Sequence, residues 1–438
     1  YFILDFQWIT GGKQGSGIDS AQYIFSRAIA SLGYKVFGYR EYFSNIKGMH
    51  SFFVVRVSEE QKYALKAKSL IGAFIDKESV FGEKNYRGEV IHDGHLKDIE
   101  NNGTIVVDKL VDVNAIKTLR PDLNVIQLDF SDIFNKVAEK LQTKPSVLEI
   151  SRNVVAVSSS LYLLGVDEQT IFNAIAAQFS KSQSVVNMNV EVAKETLARM
   201  KSFTPLLKLM PINKEEELLM EGFQAFAIGK AIGGCKLQVY YPITPASDES
   251  VFIESHPELG IRVVQPESEI AVIGMVAGAN LAGVRAATST SGPGLALMTE
   301  TIAWAGMTET PIVVIDHERG GPATGLPTRT EQGDLKFVVN LGHGDFDRIV
   351  IGPGDLEESI EMTAKAFNYA EIFQVPVIVL SEKAISQQLR TISKSVIDSI
   401  KDSYRIKRGK LIERPPENYK RYEFTPDNIS PRIRVGNP

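Results

Sequence analysis

The chain has 438 residues, of which 44% are hydrophobic and 23% are charged, and its formal net charge is −5. This length suits two or three globular domains, and the small negative charge argues against a basic surface for nucleic acid or for a membrane. The sequence has no run of about 18 consecutive apolar residues, so it predicts no transmembrane helix.

The single cysteine, Cys235, restricts the redox chemistry of the chain. One cysteine cannot form a disulfide framework, which favours a reducing, cytoplasmic compartment. It also cannot hold an iron–sulfur cluster, because such clusters take about four cysteine ligands. Any cluster that works with this chain must therefore belong to another subunit. The first residues show no basic region followed by an apolar run, so they predict no secretory signal. Because the first residue is a tyrosine and not an initiator methionine, we expect a longer gene product than the printed residues.

Residues 1–200 alternate predicted strands with predicted helices. Apolar runs predict strands at 2–10, 35–39, 52–57, 70–75, 104–108 and 124–128. Apolar spacings of three and four predict helices at 18–32, 132–141, 147–164, 168–179 and 190–199. Gly33 is the predicted C-cap of the first helix. The pattern indicates an α/β domain with a helical extension, followed by a polar linker at 201–214 that contains two prolines.

A glycine-rich loop, Gly11-Gly-Lys-Gln-Gly-Ser-Gly17, separates the first predicted strand from the first predicted helix. Backbone N–H groups in such a loop are able to cradle a phosphate. The glycine spacing does not match the dinucleotide fingerprint, and Lys13 is not followed by Ser or Thr as a P-loop lysine would be. A tight turn in an open sheet and a phosphate cradle therefore both stay open.

Residues 215–400 repeat the α/β pattern and form a second predicted domain. Its predicted strands lie at 237–241, 261–264, 285–288, 311–316 and 375–380. Its predicted helices lie at 215–232, from about 246 onward, 265–283, 295–306 and 355–373. The acidic run that ends at residue 217 suits the first turn of the first of these helices. The basic, aperiodic tail 401–438 is predicted to start a further segment that is incomplete here.

Two prolines, Pro242 and Pro245, follow the predicted strand 237–241. Each fixes φ and lacks an N–H group, and the residues before them, Tyr241 and Thr244, are held out of the α region. The chain therefore leaves the carboxyl end of a strand in a rigid, extended turn. Ligands bind at that edge of an open α/β sheet, so the Thr244 hydroxyl is a candidate ligand contact. The alternative is a turn that only shapes a corner.

A carboxylate lies ahead of the most apolar stretch of the second predicted domain. Glu269 lies in the first turn of that helix, and the residues after it are almost all small or apolar. A carboxylate in this position is either a partner of the helix dipole or a functional acid held in a dry site.

Four ordered blocks resemble one known family. The residues Tyr241, Pro242, Ile243, Thr244 and Pro245 resemble the signature of the α subunit of 2-oxoacid:ferredoxin oxidoreductases. Blocks 289–294 (Ser-Thr-Ser-Gly-Pro-Gly) and 319–334 (Arg-Gly-Gly-Pro-Ala-Thr-Gly-Leu-Pro-Thr-Arg-Thr-Glu-Gln-Gly-Asp) resemble two further motifs in the same order. The glycine-rich loop resembles the γ domain that some members carry fused in front. The resemblance implies an α/β fold with an N-terminal γ-like domain at 1–200 and a doubly wound, thiamine-diphosphate-type pyrimidine domain at 215–400.

The family resemblance also implies an activity, its cofactors and its partners. The enzyme would oxidatively decarboxylate 2-oxoacids such as pyruvate and 2-oxoglutarate to acyl-coenzyme A and pass electrons to ferredoxin. Thiamine diphosphate, Mg²⁺ and a [4Fe-4S] cluster would be held mainly by a β subunit, with coenzyme A as co-substrate. The alternatives are an enzyme for aryl pyruvates of the indolepyruvate type, and a non-catalytic, nucleotide-binding scaffold subunit.

The same resemblance implies a catalytic glutamate and a cofactor-binding turn. Glu269 would hydrogen-bond the aminopyrimidine ring of the cofactor and so activate it, with Glu267 as the alternative if the match is shifted by two residues. Gly292 and Gly294, in the Ser-Gly-Pro-Gly turn, would bind the cofactor. The resemblance implies no metal ligand in this chain.

The substrate carboxylate would be bound by Thr244 and by an arginine. An arginine fork suits a planar carboxylate because it donates two parallel hydrogen bonds. Arg329 lies in the long loop 317–334, whose content of Gly, Pro and Thr suggests function or mobility, and it is the predicted carboxylate ligand. Arg319, in the same loop, is the competing candidate.

Overall fold

The computed structural model describes residues 4–42, 49–212 and 217–436. The chain divides into two compact units. The first contains Tyr1–Leu219 and Leu389–Thr391, and the second contains Met220–Gln388 and Ile392–Pro438. No helix of the described residues is long and apolar enough to cross a membrane.

The strands are numbered in chain order. They are β1 Asp5–Lys13, β2 Lys35–Tyr42, β3 His50–Ser58, β4 Ser69–Phe74, β5 Glu83–Lys84, β6 Val90–His92, β7 Ile99–Asp108, β8 Asn124–Leu128, β9 Glu217–Glu221, β10 Leu237–Val239, β11 Arg262–Val264, β12 Ala286–Thr290, β13 Ile312–Glu318, β14 Ile349–Ile351, β15 Pro376–Glu382 and β16 Leu389–Ser393.

The α-helices are numbered in the same way. They are α1 Ile18–Ser31, α2 Lys77–Phe81, α3 Val113–Leu119, α4 Phe130–Leu141, α5 Pro145–Leu148, α6 Arg152–Leu163, α7 Glu168–Gln178, α8 Gln183–Met200, α9 Gly222–Ile232, α10 Ser247–Ser255, α11 Glu269–Leu281, α12 Gly292–Met307, α13 Leu335–Val339, α14 Leu356–Phe373, α15 Lys383–Ser386 and α16 Lys394–Ser403. Short 3₁₀ turns lie at Leu96–Asp98, Glu149–Ser151 and Pro257–Leu259.

The first unit is built on a mixed sheet with the strand order β8-β7-β4-β1-β3-β2-β16-β9. Strands β8, β7, β4 and β1 are parallel, whereas β3 is antiparallel to both β1 and β2. Helix α1 packs on this sheet through Phe25, whose ring stacks on Trp8 of β1 at 4.1 Å. The Trp8 indole N–H donates to the Ser160 hydroxyl of α6 at 2.9 Å, so its polar edge is satisfied inside the core.

The glycine-rich loop is shorter in the structure than in the prediction, because β1 continues through Lys13. Gly15 and Gly17 adopt φ values of 91° and 83°, which glycine tolerates and other residues rarely adopt. A Cβ atom at Gly17 would also lie 2.7 Å from the Asn153 side chain. These glycines therefore have a conformational explanation as a tight turn into α1.

Three buried histidines form a cluster in the first unit. His50 and His95 approach each other at 2.7 Å between their Nε2 atoms, and the ring of His92 stacks on that of His50 at 4.0 Å. The Nδ1 atom of His95 lies 2.8 Å from an Asp98 carboxylate oxygen. Burial, together with the positive charges that His95 and His92 can carry, lowers the pKa of His50 to about 3.

This cluster predicts acid sensitivity of the first unit. An unfolded histidine has a pKa of about 6.5. Below that pH the histidine is protonated in the unfolded chain, whereas buried His50 stays neutral in the folded chain. The free energy of unfolding therefore decreases as the pH falls from about 6.5 towards 3. The expected slope of the free energy of unfolding is up to about 1.4 kcal/mol per pH unit.

Denaturant unfolding, followed by Trp8 fluorescence in a Trp304→Phe background, should show a shallower pH dependence for His50→Gln. The exposed-site control His343→Gln should keep the parental slope; equal slopes in all variants would contradict the prediction.

The second unit is a doubly wound parallel sheet with the order β11-β10-β12-β13-β15-β14. Alternate strand residues face opposite layers: Val314 packs with α11 and α12, whereas Val313 and Ile315 pack with α9, α10 and α14. The strand order reverses between β10 and β12, which makes the gap between their carboxyl ends the topological switch point. The predicted turn after β10 and the Ser-Gly-Pro-Gly turn after β12 both leave the sheet at this point.

One predicted helix is wrong at its start. The predicted helix 215–232 begins only at Gly222, and 217–221 form strand β9; residues 215–216 lie outside the described residues. The apolar run 218–220 has strand character, and Glu221 with Gln224 forms a capping box that fixes the helix start at Gly222. Acidic residues before that point suited a helix N-terminus equally well, which is why the pattern was misleading.

Two other elements differ from the sequence prediction. The predicted helix 147–164 is divided into α5 and α6 by the 3₁₀ turn Glu149–Ser151. The tail is not separate from the second unit, because α16 crosses residue 400 and the following residues bind that unit. Arg432 forms an ion pair with Glu371 at 2.8 Å, for example. After α16, contacts such as this ion pair hold the tail on the second unit, and the tail forms no further helix among the described residues. This explains why its sequence shows no helical or strand periodicity.

Candidate active site

The turn at the switch point is held against the first turn of α10. The Ile243 N–H donates to the Ser247 hydroxyl at 2.8 Å, and the Ser247 N–H donates back to the Ile243 carbonyl at 3.0 Å. Tyr241 and Pro242 are exposed, Ile243 and Thr244 are half-buried, and Pro245 is buried. The Thr244–Pro245 peptide bond is cis. The predicted rigid turn at the carboxyl end of β10 is confirmed.

Arg319 is the arginine that the structure brings to this turn. It follows β13 directly, is 8% exposed, and its Nη1 donates to the Thr244 carbonyl at 2.8 Å. Its Nη2 donates to the Thr324 carbonyl at 3.1 Å, and its buried Nε has no hydrogen-bond partner among the described residues. Arg319 forms no ion pair within this part of the chain. A buried guanidinium with a spare donor and no carboxylate partner suits an incoming anion.

Arg329 lies in the same loop but is placed differently. It is half-buried, and its backbone closes the base of the loop: the Gly320 N–H donates to the Arg329 carbonyl, and the Arg329 N–H donates to the Leu326 carbonyl, both at 2.9 Å. Its Cβ atom would lie 3.6 Å from a Cβ atom at Gly320, the neighbour of Arg319. The geometry therefore favours Arg319, the competing candidate, for contact at Thr244, and the role of Arg329 stays a prediction.

Glu269 lies in the first turn of α11, as predicted, although the helix begins at Glu269 and not at residue 265; the residue is 8% exposed. The Ser268 hydroxyl caps the helix by accepting from the Ala271 N–H at 3.3 Å. Within the described residues, the Glu269 side chain makes no hydrogen bond and no ion pair. Glu267, the alternative, is exposed. Of the two glutamates, only Glu269 is a nearly buried residue.

The two predicted cofactor-binding glycines make room for acidic side chains. A Cβ atom at Gly294 would lie 2.2 Å from the Thr290 hydroxyl and 3.1 Å from a Glu269 carboxylate oxygen. A Cβ atom at Gly292 would lie 2.5 Å from a carboxylate oxygen of Asp334. Both glycines lie in the first turn of α12, so the structure brings Gly294 against Glu269 at the switch point. Their contact with a cofactor stays a prediction.

The second unit contains a buried ionic network that was not predicted from the sequence. Lys230 and Glu249 are both 0% exposed and lie 2.5 Å apart. The Ser289 hydroxyl donates to Glu249 at 2.5 Å, and the Nε2 atom of His317 lies 3.1 Å from the same carboxylate oxygen. Lys230 also donates to Gln238 at 2.8 Å. Burial raises the pKa of Glu249, but Lys230 and His317 outweigh it and hold the pKa at about 2.

A second acidic group lies where β13 ends. Asp316 is fully buried, and burial together with the carboxyl groups of Asp334 and Glu318 raises its pKa well above the ordinary value. Burial is also the main cause that raises the pKa of Glu318 to about 7, and it raises the pKa of Asp334. The sequence feature that could have indicated this acidic group is the apolar strand before Asp316, which ends in the two carboxylates Asp316 and Glu318.

The second unit is thus a doubly wound α/β domain in which the nearly buried Glu269 carboxylate and the buried Arg319 guanidinium both follow strands of the parallel sheet, the class of domain in which ligands bind at the switch point. Residues 229–435 match the family described as "Pyruvate flavodoxin/ferredoxin oxidoreductase, thiamine diP-bdg", and residues 7–199 match "Pyruvate ferredoxin/flavodoxin oxidoreductase". The chain belongs to the 2-oxoacid:ferredoxin oxidoreductases, as an α subunit.

The similarity to individual relatives supports this family assignment. The 2-oxoacid:ferredoxin oxidoreductase α subunit of Saccharolobus solfataricus is 39% identical over 98% of this chain and 72% of the relative. Subunit α of 2-oxoacid:ferredoxin oxidoreductase 1 of Sulfurisphaera tokodaii is 38% identical over 98% of this chain and 73% of the relative. A solved structure, the 2-oxoglutarate:ferredoxin oxidoreductase of Magnetococcus marinus with 2-oxoglutarate, coenzyme A and succinyl-CoA bound, has a TM-score of 0.84 at 32% identity, covering 99% of this chain and 72% of that chain.

These matches confirm the family, the fold class and the enzyme class that the sequence predicted. The chain is an α subunit of a thiamine-diphosphate-dependent 2-oxoacid:ferredoxin oxidoreductase. The aryl-pyruvate enzyme and the non-catalytic scaffold are not favoured by these relatives.

Proposed function

We propose that this chain activates the thiamine cofactor through Glu269 and binds the carboxylate of the 2-oxoacid beside it. The reaction is oxidative decarboxylation to acyl-coenzyme A, with electrons passing to ferredoxin. The observation that carries the proposal is the Glu269 carboxylate, which is almost buried and has no hydrogen-bonding partner among the described residues. When bound, thiamine diphosphate supplies the electron sink that decarboxylation of a 2-oxoacid requires.

The residues around Glu269 fit an aminopyrimidine ring. A nearly buried carboxylate without a hydrogen-bond partner among the described residues is stabilised by a hydrogen-bonding group, and a ring nitrogen of the cofactor would provide one. Because Gly294 has no side chain, the Thr290 hydroxyl and the Glu269 carboxylate can lie close to the first turn of α12. Glu269 would hold or share a proton at that nitrogen, which requires a carboxyl group shielded from water.

The substrate carboxylate would lie at the Thr244 turn. Thr244 offers a hydroxyl, and Arg319 offers a guanidinium that already donates to the Thr244 and Thr324 carbonyls. Arg319 is the stronger candidate for the charged contact because it is buried without a carboxylate partner among the described residues, and Arg329 is the alternative. The two groups would hold the carboxylate in place while the bond between it and the carbonyl carbon breaks.

The remaining cofactors belong, in this proposal, to a β subunit. That subunit would hold the diphosphate with Mg²⁺ and the [4Fe-4S] cluster, and ferredoxin would accept the electrons. The only cysteine of the chain, Cys235, is buried, and burial raises its thiol pKa to about 11, so it is poorly suited to ligate iron. 2-Oxoglutarate and pyruvate are the substrates to test, with coenzyme A as acyl acceptor, and a cytoplasmic location stays a prediction.

Co-expression tests this division of labour. The chain purified alone should be colourless and bind no stoichiometric iron, because one cysteine cannot ligate a cluster. Co-expression with the β chain encoded in the same organism should yield a brown complex containing iron and thiamine diphosphate. That complex should reduce ferredoxin with pyruvate or 2-oxoglutarate in the presence of coenzyme A. Stoichiometric iron and sulfide in the isolated chain would contradict the proposal, as would a complex that oxidises neither substrate.

A further inference from the structure

The buried network of Lys230, Glu249, Ser289 and His317 joins the segments that form the candidate substrate site. Lys230 comes from α9, Glu249 from the first turn of α10, Ser289 from the end of β12 and His317 from the end of β13. Lys230 donates to Ser289 at 2.6 Å, and Glu249 accepts from Ser289 at 2.5 Å. Both charged side chains are completely buried, so water cannot replace these contacts if one of them is lost.

Two of these residues connect to the Thr244 turn through a neighbouring residue of the chain. Glu249 is in the same helical turn as Ser247, which is hydrogen-bonded in both directions to Ile243, the residue before Thr244. His317 lies two residues before Arg319 at the end of β13. Arg319 in turn donates to the Thr244 carbonyl at 2.8 Å. The chain and these side chains thus form a closed ring that contains the link from Glu249 to His317 as well as Thr244 and Arg319.

We infer that Glu249 and His317 are positioning residues that set the distance between the Thr244 hydroxyl and the Arg319 guanidinium, and so determine affinity for the 2-oxoacid carboxylate. Neither residue touches the substrate in this inference. It rests on the proposed carboxylate site at Thr244 and Arg319. A displacement of about 1 Å in such a pair is enough to cost a large factor in binding or rate.

Glu249→Gln tests the inference in the complete complex with the partner subunits. It keeps the shape of the side chain but leaves Lys230 without its counter-ion, so the ring should rearrange. The KM for pyruvate and for 2-oxoglutarate should rise about 10-fold, which corresponds to about 1.4 kcal/mol, while kcat changes less. Hydrogen–deuterium exchange at C2 of bound thiamine diphosphate, which depends on Glu269, should stay at the wild-type rate.

His317→Phe is the second variant, because it spares the Lys230–Glu249 pair and so protects folding. The aromatic ring keeps the edge-to-face packing of His317 on Phe226, which has a centroid distance of 4.9 Å, but removes the link to Glu249. Its KM should rise several-fold with C2 exchange unchanged. Glu371→Gln is the matched control: Glu371 is a buried carboxylate held by Arg285 at 2.7 Å at the amino ends of the strands, away from the Thr244 turn.

The outcomes separate the inference from a general loss of stability. Glu371→Gln should lower the melting temperature without changing KM, and an equal rise in KM there would overturn a specific positioning role. Wild-type KM in both Glu249→Gln and His317→Phe, with a raised KM in Arg319→Met, would overturn the inference and leave the proposed function standing. Wild-type KM in Arg319→Met and in Arg329→Met would instead remove the carboxylate site itself.

Discussion

Glu269→Gln should lower turnover of the assembled enzyme by orders of magnitude while leaving folding and subunit association intact. The side chain is almost buried at the first position of α11 and has no hydrogen-bond partner in the described part of the chain, so its loss removes no visible structural contact. The amide keeps the size of the carboxyl group but cannot share a proton with the cofactor ring. A group that acts only in activation of the cofactor lowers kcat and kcat/KM together.

Hydrogen–deuterium exchange at C2 of the bound cofactor measures this step without any substrate. Exchange in Glu269→Gln should be far slower than in the wild type, and binding of thiamine diphosphate should be retained. Glu267→Gln is the matched control, because Glu267 is two residues away and exposed. Wild-type exchange in Glu269→Gln together with slow exchange in Glu267→Gln would transfer the role to Glu267.

Regular elements of this fold could be predicted from local patterns because their signals are local. Strand β8 was predicted with its observed limits, since the apolar run Asn124–Leu128 is bounded by turn residues on one side and a capped helix on the other. The start of α9 was missed for the opposite reason. Its preceding residues, 218–220, are apolar without a clear period, and only the capping box of Glu221 and Gln224 distinguishes strand from helix there.

The candidate site was predicted only in part, because several of its contacts join distant parts of the sequence. The turn at Thr244 and the glutamate at 269 carry local signals, a proline pair and a lone acid before an apolar helix. Lys230 and Ser289 are 59 residues apart, and Glu249 and His317 are 68 residues apart, so no periodicity relates them. Lys230 lies among the small and apolar residues of α9, and this was the sequence feature that could have indicated a buried charge in need of a partner.

Sequence patterns could not distinguish Arg319 from Arg329, because both lie in a loop. Both arginines lie in the same stretch after β13, and their sequence context gives neither a period nor a cap. What separates them is the path of the backbone. The loop closes through hydrogen bonds between Gly320, Leu326 and Arg329, which leaves Arg319 at the end of the strand, against the Thr244 carbonyl.

Arg319→Met should nearly abolish oxidation of 2-oxoacids, because it removes the buried guanidinium that faces the Thr244 turn. Arg319→Lys keeps the charge but loses the planar fork, so its KM should rise about 10-fold or more, equivalent to about 1.4 kcal/mol. Thr244→Ala removes one hydrogen bond and should cost about 1–1.5 kcal/mol. In all three variants C2 exchange of the cofactor should stay at the wild-type rate, because Glu269 is untouched.

Arg329→Met decides between the two arginines, since it removes a cation from the same loop without altering the contact between Arg319 and Thr244. If Arg319 binds the carboxylate, Arg329→Met should raise KM by a smaller factor than Arg319→Lys does. The reverse order would return the carboxylate to Arg329, as the family resemblance alone implied. Arg319 would then act as a support of the Thr244 carbonyl, and its loss would lower stability more than it raises KM. Steady-state kinetics with both substrates, together with thermal unfolding of each variant, separates a lost carboxylate contact from a displaced turn.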